Sequence, residues 1–161
     1  MKVDELLTAS FRVLMYDEME QYTNAINALA NILANQSNTH GYNNLGIAYF
    51  EIGDYKMAFQ CFNESLQIDP KNEVAFINRG HLFEKSGDWL AARRDYSSAI
   101  EIMPSNPTYW RCRAYLYKQE ERWHEALQDF LEAQKIEPLL ERTNREIEEL
   151  KSRLGADLQK P

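Results

Sequence analysis

"GDYKMAFQCFNESLQIDP", residues 53–70, returns 34 positions later as "GDWLAARRDYSSAIEIMP", residues 87–104. Glycine-aspartate, an aromatic, an alanine, a second aromatic and a closing proline recur in one order at one spacing. Self-similarity at a fixed period signals stacked structural units, so the repeat has to be read before any single site. Aligning Pro70, Pro104 and Pro138 extends the pattern to three copies. Ala58, Ala92 and Ala126 lie twelve residues before their prolines, and Phe62, Tyr96 and Phe130 eight before. Upstream, three further sets share the offset: Tyr42, Phe76 and Trp110; Gly46, Gly80 and Ala114; Tyr49, Phe83 and Tyr117.

The spacing predicts helical hairpins. Tyr42, Leu45, Gly46 and Tyr49 fall at i, i+3, i+4 and i+7, one stripe of a helix. The Gly or Ala in that stripe lets a partner helix come close. Gly53 and Gly87 suit the position just past a helix C-terminus, and Asp54 and Asp88 suit the N-cap of the next helix. Tyr55, Ala58 and Phe62 line that second helix. Pro70 and Pro104 end it, because the residue before proline is turned away from helical angles. A lone hairpin of this kind has more apolar surface than it can bury, so neighbours are expected to stack.

The stretch "YNNLGIAYF" (residues 42–50), followed by Ala58, Phe62 and Pro70, resembles the tetratricopeptide repeat, with its pattern W-x2-L-G-x2-Y, A-x3-F and P. The later copies read "FINRGHLFE" and "WRCRAYLYK", with Arg79 and Arg113 in place of the usual leucine. The resemblance implies an all-α fold, a right-handed α-solenoid of antiparallel helix hairpins, with repeats at 39–72, 73–106 and 107–140. Residues 1–38 are expected to form an N-terminal helical cap, a degenerate fourth hairpin over about 4–36. Leu7, Phe11 and Leu14 would belong to its first helix, with Asp17-Glu18 at the turn. Tyr22, Ala25 and Leu29 of its second helix echo Tyr55, Ala58 and Phe62. A segment that mediates self-association is the alternative there. Residues 141–161 are expected to be a capping helix and tail, with Leu140, Ile147, Leu150, Leu154 and Leu158 as the apolar stripe.

A net charge of −7 argues against general affinity for nucleic acid or anionic membrane. Packing positions account for 12 of the 19 aromatics, which leaves little reason to expect base stacking. No stretch resembles a signal peptide or approaches membrane-spanning length, so no membrane insertion and a cytoplasmic location are expected. Cys61 and Cys112 are far apart and read as free thiols. His40, His81 and His124 lack a second His or Cys at metal-ligand spacing, and no glycine-rich phosphate loop is present. No cofactor, no metal and no enzymatic activity are therefore expected.

What remains is a binding surface. In the resembled family the first helices line a concave groove. At 100° per residue, His40, Asn43, Ile47 and Phe50 point away from the packing stripe, and Asn44 lies beside them. The next helix contributes Val74, Ile77, Asn78, His81 and Glu84, with Lys85 at the edge. The third contributes Thr108, Arg111, Cys112, Tyr115 and Lys118. Arg111 and Lys118 place positive charge there, so the expected partner is a protein or peptide segment with an apolar anchor and carboxylates. The resemblance also implies a test for the two-carboxylate clamp that some members use on chaperone tails, built of Lys, Asn, Asn, Lys and Arg. The matching positions here are Asn43, Ile47, Asn78, Thr108 and Cys112, and only Asn78 agrees. The expected function is a non-catalytic adaptor, scaffold or co-chaperone module. The alternative is a self-assembling structural module or a secretion-type chaperone that uses its terminal helices as interfaces, with a homo-oligomer as its product.

Overall fold

Three asparagines spaced by 34 residues begin the first helices of the repeats. The side chain of Asn38 accepts from the Gly41 N–H at 2.6 Å, Asn72 from Ala75 at 2.9 Å, and Asn106 from Thr108 at 3.0 Å. Each satisfies an amide that the first helical turn leaves without a partner. The computed structural model describes residues 19–31, 33–34 and 38–157, and every regular element among them is helical. A first helix, α1, covers 19–31 and continues at 33–34. It is followed by α2 (Thr39–Glu51), α3 (Tyr55–Ile68), α4 (Glu73–Ser86), α5 (Trp89–Ile102), α6 (Pro107–Gln119), α7 (Trp123–Ile136) and α8 (Glu141–Asp157). The expected helix with Leu7, Phe11 and Leu14, and the turn at Asp17-Glu18, lie outside the described residues.

The first helix of each pair ends in one turn geometry. The amide of Asp54 donates to the Tyr49 carbonyl at 2.9 Å and Gly53 to Phe50 at 3.0 Å. Asp88 to Phe83 and Gly87 to Glu84 repeat this, as do Arg122 to Tyr117 and Glu121 to Lys118. These are the paired bonds of a Schellman motif, which puts its C′ residue in the left-handed region. Gly53 and Gly87 meet that demand with φ of 82° and 80°, but the third copy has Glu121 at 58°. The second helices start on Asp54 and Asp88, whose carboxylates accept from Met57 and Ala91. Arg122 takes that place before α7 and makes no side-chain cap bond.

The chain divides into two compact units, one ending at Asn78 and the other beginning at Arg79. In the first, Ala58 and Phe62 of α3 are buried, and the Phe62 ring lies where a Gly46 Cβ would come within 2.4 Å of it. Leu33, Leu45 and Cys61 form a buried cluster, with Ile26, Leu29, Tyr42 and Tyr49 packed around it. Residues of α1 thereby cover the apolar side of the α2–α3 hairpin.

The second unit repeats the arrangement, with Gly80 against the Tyr96 ring and Ala114 clustered with Ala126 and Phe130. Helix α8 closes that cluster with Ile147 and Leu150, each 1% exposed. Leu158, the last member of the expected stripe, lies outside the described residues. Arg79 and Arg113 do more than replace leucine. Each guanidinium grips a carboxylate 16 residues on, Arg79 on Asp95 at 2.8 and 2.9 Å and Arg113 on Asp129 at 2.7 and 2.9 Å. The equivalent pair in the first repeat is Leu45 and Cys61, so an apolar contact becomes an ion pair in the next two copies.

Candidate functional site: the exposed face of the first helices

The first helices expose one row each. On α2 it consists of His40, Asn44 and Ile47, with Ile47 37% exposed. On α4 it consists of Val74, 42% exposed, the half-buried Asn78, and His81 and Lys85, both exposed. On α6 it consists of Thr108, the half-buried Cys112 and Tyr115, and Gln119. The rows run i, i+4, i+7, i+11, the spacing of a single helical face. The Asn78 amide nitrogen is buried and has no hydrogen-bond partner among the described residues.

Several expected groove residues point elsewhere. Asn43 is only 3% exposed, because its amide donates to the Asn72 side chain at 3.1 Å and so ties α2 to the start of α4. Ile77 is 8% exposed and belongs to the core. Phe50 is half-buried, with its ring 5.4 Å from that of Tyr55. The positive charge expected from Arg111 and Lys118 is partly engaged by carboxylates. Arg111 lies 3.5 Å from the Glu137 carboxylate and donates to the Thr108 hydroxyl at 3.2 Å. Lys118 is held by Glu146 and Glu149 of α8. The sites at 43, 77 and 111, and at 50, 84 and 118, face their neighbours, and the open row lies one step round the helix. His40, Asn44, Ile47, Asn78, His81, Lys85 and Tyr115 stay on or beside that row.

In the second unit the face carries two polar features. The first is a chain of side chains that sequence reasoning did not find. The Tyr96 hydroxyl donates to Glu84 at 2.7 Å and lies 2.9 Å from His81 Nδ1. Gln119 donates to the other Glu84 oxygen at 3.0 Å, and Cys112 Sγ lies 3.9 Å from His81 Nε2. Hydrogen bonding with Cys112 and then with Glu84 raises the His81 imidazole to about 9 against the opposing pull of burial. The same contact with His81 holds the Glu84 carboxyl below its usual range. No spacing rule joins residues 81, 84, 96, 112 and 119; only the hairpin stacking brings them together.

The second feature is a pocket of about 220 Å³ lined by Thr108, Arg111, Cys112, Tyr115, Leu140 and Arg142. Its floor is apolar, and the Tyr115 ring stacks edge-on to Phe130 with centroids 5.0 Å apart. Arg142 lies over the Tyr115 ring at 5.2 Å, and Arg111 stands on the rim. Two guanidiniums around an apolar floor suit a carboxylate next to an aliphatic or aromatic side chain. A separate cleft on the α5 side is lined by Arg93, Arg94, Ser97, Ser98, Glu101 and Tyr117. Its Arg93 is bonded to Glu120 at 2.8 Å. Among the described residues no group of three or more His, Cys, Asp or Glu is placed to hold a metal, and no helix is long and apolar enough to cross a membrane.

Comparison with known proteins agrees with this architecture. Two family models described as tetratricopeptide repeat match residues 41–72 and 77–139. No curated protein sequence matches the chain. Among solved structures, that of MamA is 17% identical and superposes with a TM-score of 0.76, covering 96% of this chain and 86% of that one. TTC0263, a thermophilic TPR protein of Thermus thermophilus, is 17% identical with a TM-score of 0.73, covering 81% of this chain and 73% of that one. The first TPR of Spaghetti (RPAP3), bound to HSP90 peptide SRMEEVD, is 21% identical with a TM-score of 0.67, covering 73% of this chain and 93% of that one.

Proposed function

We propose, from the premise that this chain belongs to the tetratricopeptide repeat family, that it is a non-catalytic adaptor that captures a segment of a partner protein on the exposed face of its first helices. The observation that carries this reading is the pocket around Arg111, Tyr115 and Arg142, where two cations border an apolar floor in a protein of net charge −7. The ligand it suits is a peptide with an acidic residue beside Leu, Phe or a similar apolar side chain. The peptide complex of the RPAP3 domain supports a peptide ligand in general. The clamp positions do not support a chaperone tail, since Asn43 is buried and Thr108 and Cys112 stand where cations are needed. In this reading α1 and α8 act as the caps of the repeats, and the protein works in the cytoplasm.

Display of random hexapeptides against the full chain tests the proposal. Enriched sequences are expected to combine Asp or Glu with a neighbouring large apolar residue, and Arg111→Glu is expected to abolish the enrichment. Selection indifferent to acidic residues, or unchanged by Arg111→Glu in a folded variant, would refute it. Lys118→Glu is the wrong variant for this purpose, because it sets a third carboxylate against Glu146 and Glu149 and so strains α8 directly. Arg111→Glu opposes only the solvent-exposed Glu137, and Arg111→Gln, which adds no like charge, is its control.

A further inference from the structure

We infer that Cys112 is an activated thiol, a modification site for soft electrophiles in which His81 is the proton acceptor. The inference is independent of the partner reading above and rests on the proton count of the chain of side chains around His81. The hydroxyl of Tyr96 has one proton and gives it to Glu84 Oε2 at 2.7 Å. Its oxygen therefore accepts at 2.9 Å from His81, which fixes a proton on Nδ1. Gln119 donates to the second Glu84 oxygen and holds the carboxylate in place. Nε2 is left facing Cys112 Sγ at 3.9 Å. When the imidazole is neutral, Nε2 offers a lone pair to the thiol proton. When it is protonated, Nε2–H faces the thiolate that results. This is the order nucleophile, base, orienting group on which activated nucleophiles are built. Hydrogen bonds between a nucleophile and its base are often this loose before a reactant is bound.

Access distinguishes this thiol from the other one. Cys112 is half-exposed and forms part of the pocket wall, whereas Cys61 is 4% exposed and burial pushes its thiol up to about 11. With an alkylating agent such as iodoacetamide, the Cys112 thiolate facing the protonated Nε2 bonds to the carbon and iodide leaves, the thiol proton having gone to the imidazole or to solvent. With hydrogen peroxide, the thiolate attacks one oxygen and the O–O bond breaks. The departing hydroxide takes the imidazolium proton as water, and sulfur is oxidised by two electrons to the sulfenic acid while the peroxide is reduced.

The test is site-resolved carbamidomethylation of the intact protein by iodoacetamide across a pH series, read by peptide mass spectrometry. At pH about 6.5, Cys112 is expected to react roughly tenfold faster than the thiol of N-acetylcysteine amide, with Cys61 far slower. In His81→Gln the rate is expected to drop at least tenfold at that pH. Glu84→Gln, which keeps an acceptor for Tyr96 but removes the charge, should fall between the two. Superimposed pH profiles for the wild type and a folded His81→Gln would overturn the inference. Should His81→Gln fail to fold, the wild-type ratio to the free thiol decides: a value near one or below overturns the inference, and a tenfold excess supports it.

Discussion

Arg113 and Asp129 show how one pair position carries different chemistry in successive copies. The carboxylate is 5% exposed, and burial raises its pKa although the guanidinium of Arg113 pulls the other way. A buried ion pair of this kind contributes little against an apolar replacement, but breaking it leaves an uncompensated charge. Arg113→Leu alone is thus expected to lower unfolding stability by about 3 kcal/mol in urea titration. Arg113→Leu with Asp129→Cys, which copies Leu45 and Cys61 of the first repeat, is expected to recover to within about 1 kcal/mol of the wild type. A double variant no better than the single one would show that Ser97 and the Trp110 and Tyr117 rings, which Arg113 also contacts, carry the effect instead. The two arginines are legible in the sequence as departures from a repeated leucine. Their acids are not, because positions 16 apart become partners only when the two helices of a hairpin lie side by side. The same limit hides the His81 chain of side chains, whose members come from three helices.

At the scale of elements, the turns are the most legible feature and contain the clearest strain. Gly53 and Gly87 adopt the positive φ that their turn requires, and Glu121 adopts it without the freedom of glycine. A non-glycine residue there costs on the order of 1 kcal/mol. Glu121→Gly is therefore expected to raise the Tm by about 2–4 °C in a chain of this size. A fall in Tm would mean that the Glu121 side chain makes a contribution larger than the backbone strain. The packing stripe is readable because Gly46, Gly80 and Ala114 recur under a ring. A helical wheel puts the open stripe one step off, because it shows what points away from the core but not which flank the next element covers. Asn43 therefore falls in the expected groove, while the Asn72 cap that draws it inward belongs to the following helix. The repeated caps Asn38, Asn72 and Asn106 are the available clue to where that helix begins.

At the scale of the whole molecule, charge and architecture point different ways. The chain is acidic, yet its second unit has Arg111 and Arg142 beside an apolar pocket. Composition could not reveal this, because Arg142 lies on α8 and reaches the pocket by packing over Tyr115. The repeat period specifies an all-helical chain of hairpins, whereas the chemistry of the face depends on which charges α8 neutralises and which it leaves. It neutralises Lys118 and adds Arg142 beside Arg111, so the basic site gathers at the junction of α6 and α8. Attraction there should weaken as salt is raised, since the rim is open to solvent.

The most direct test is a titration of the ¹⁵N-labelled full chain with an acetylated hexapeptide bearing two glutamates beside a leucine, followed by backbone amide shifts. The account predicts that the largest changes fall on Thr108, Cys112, Tyr115 and Arg142, shrink with added salt and vanish in Arg111→Glu. Changes centred on Arg94, Ser97 and Ser98, or none at any peptide concentration reached, would contradict it.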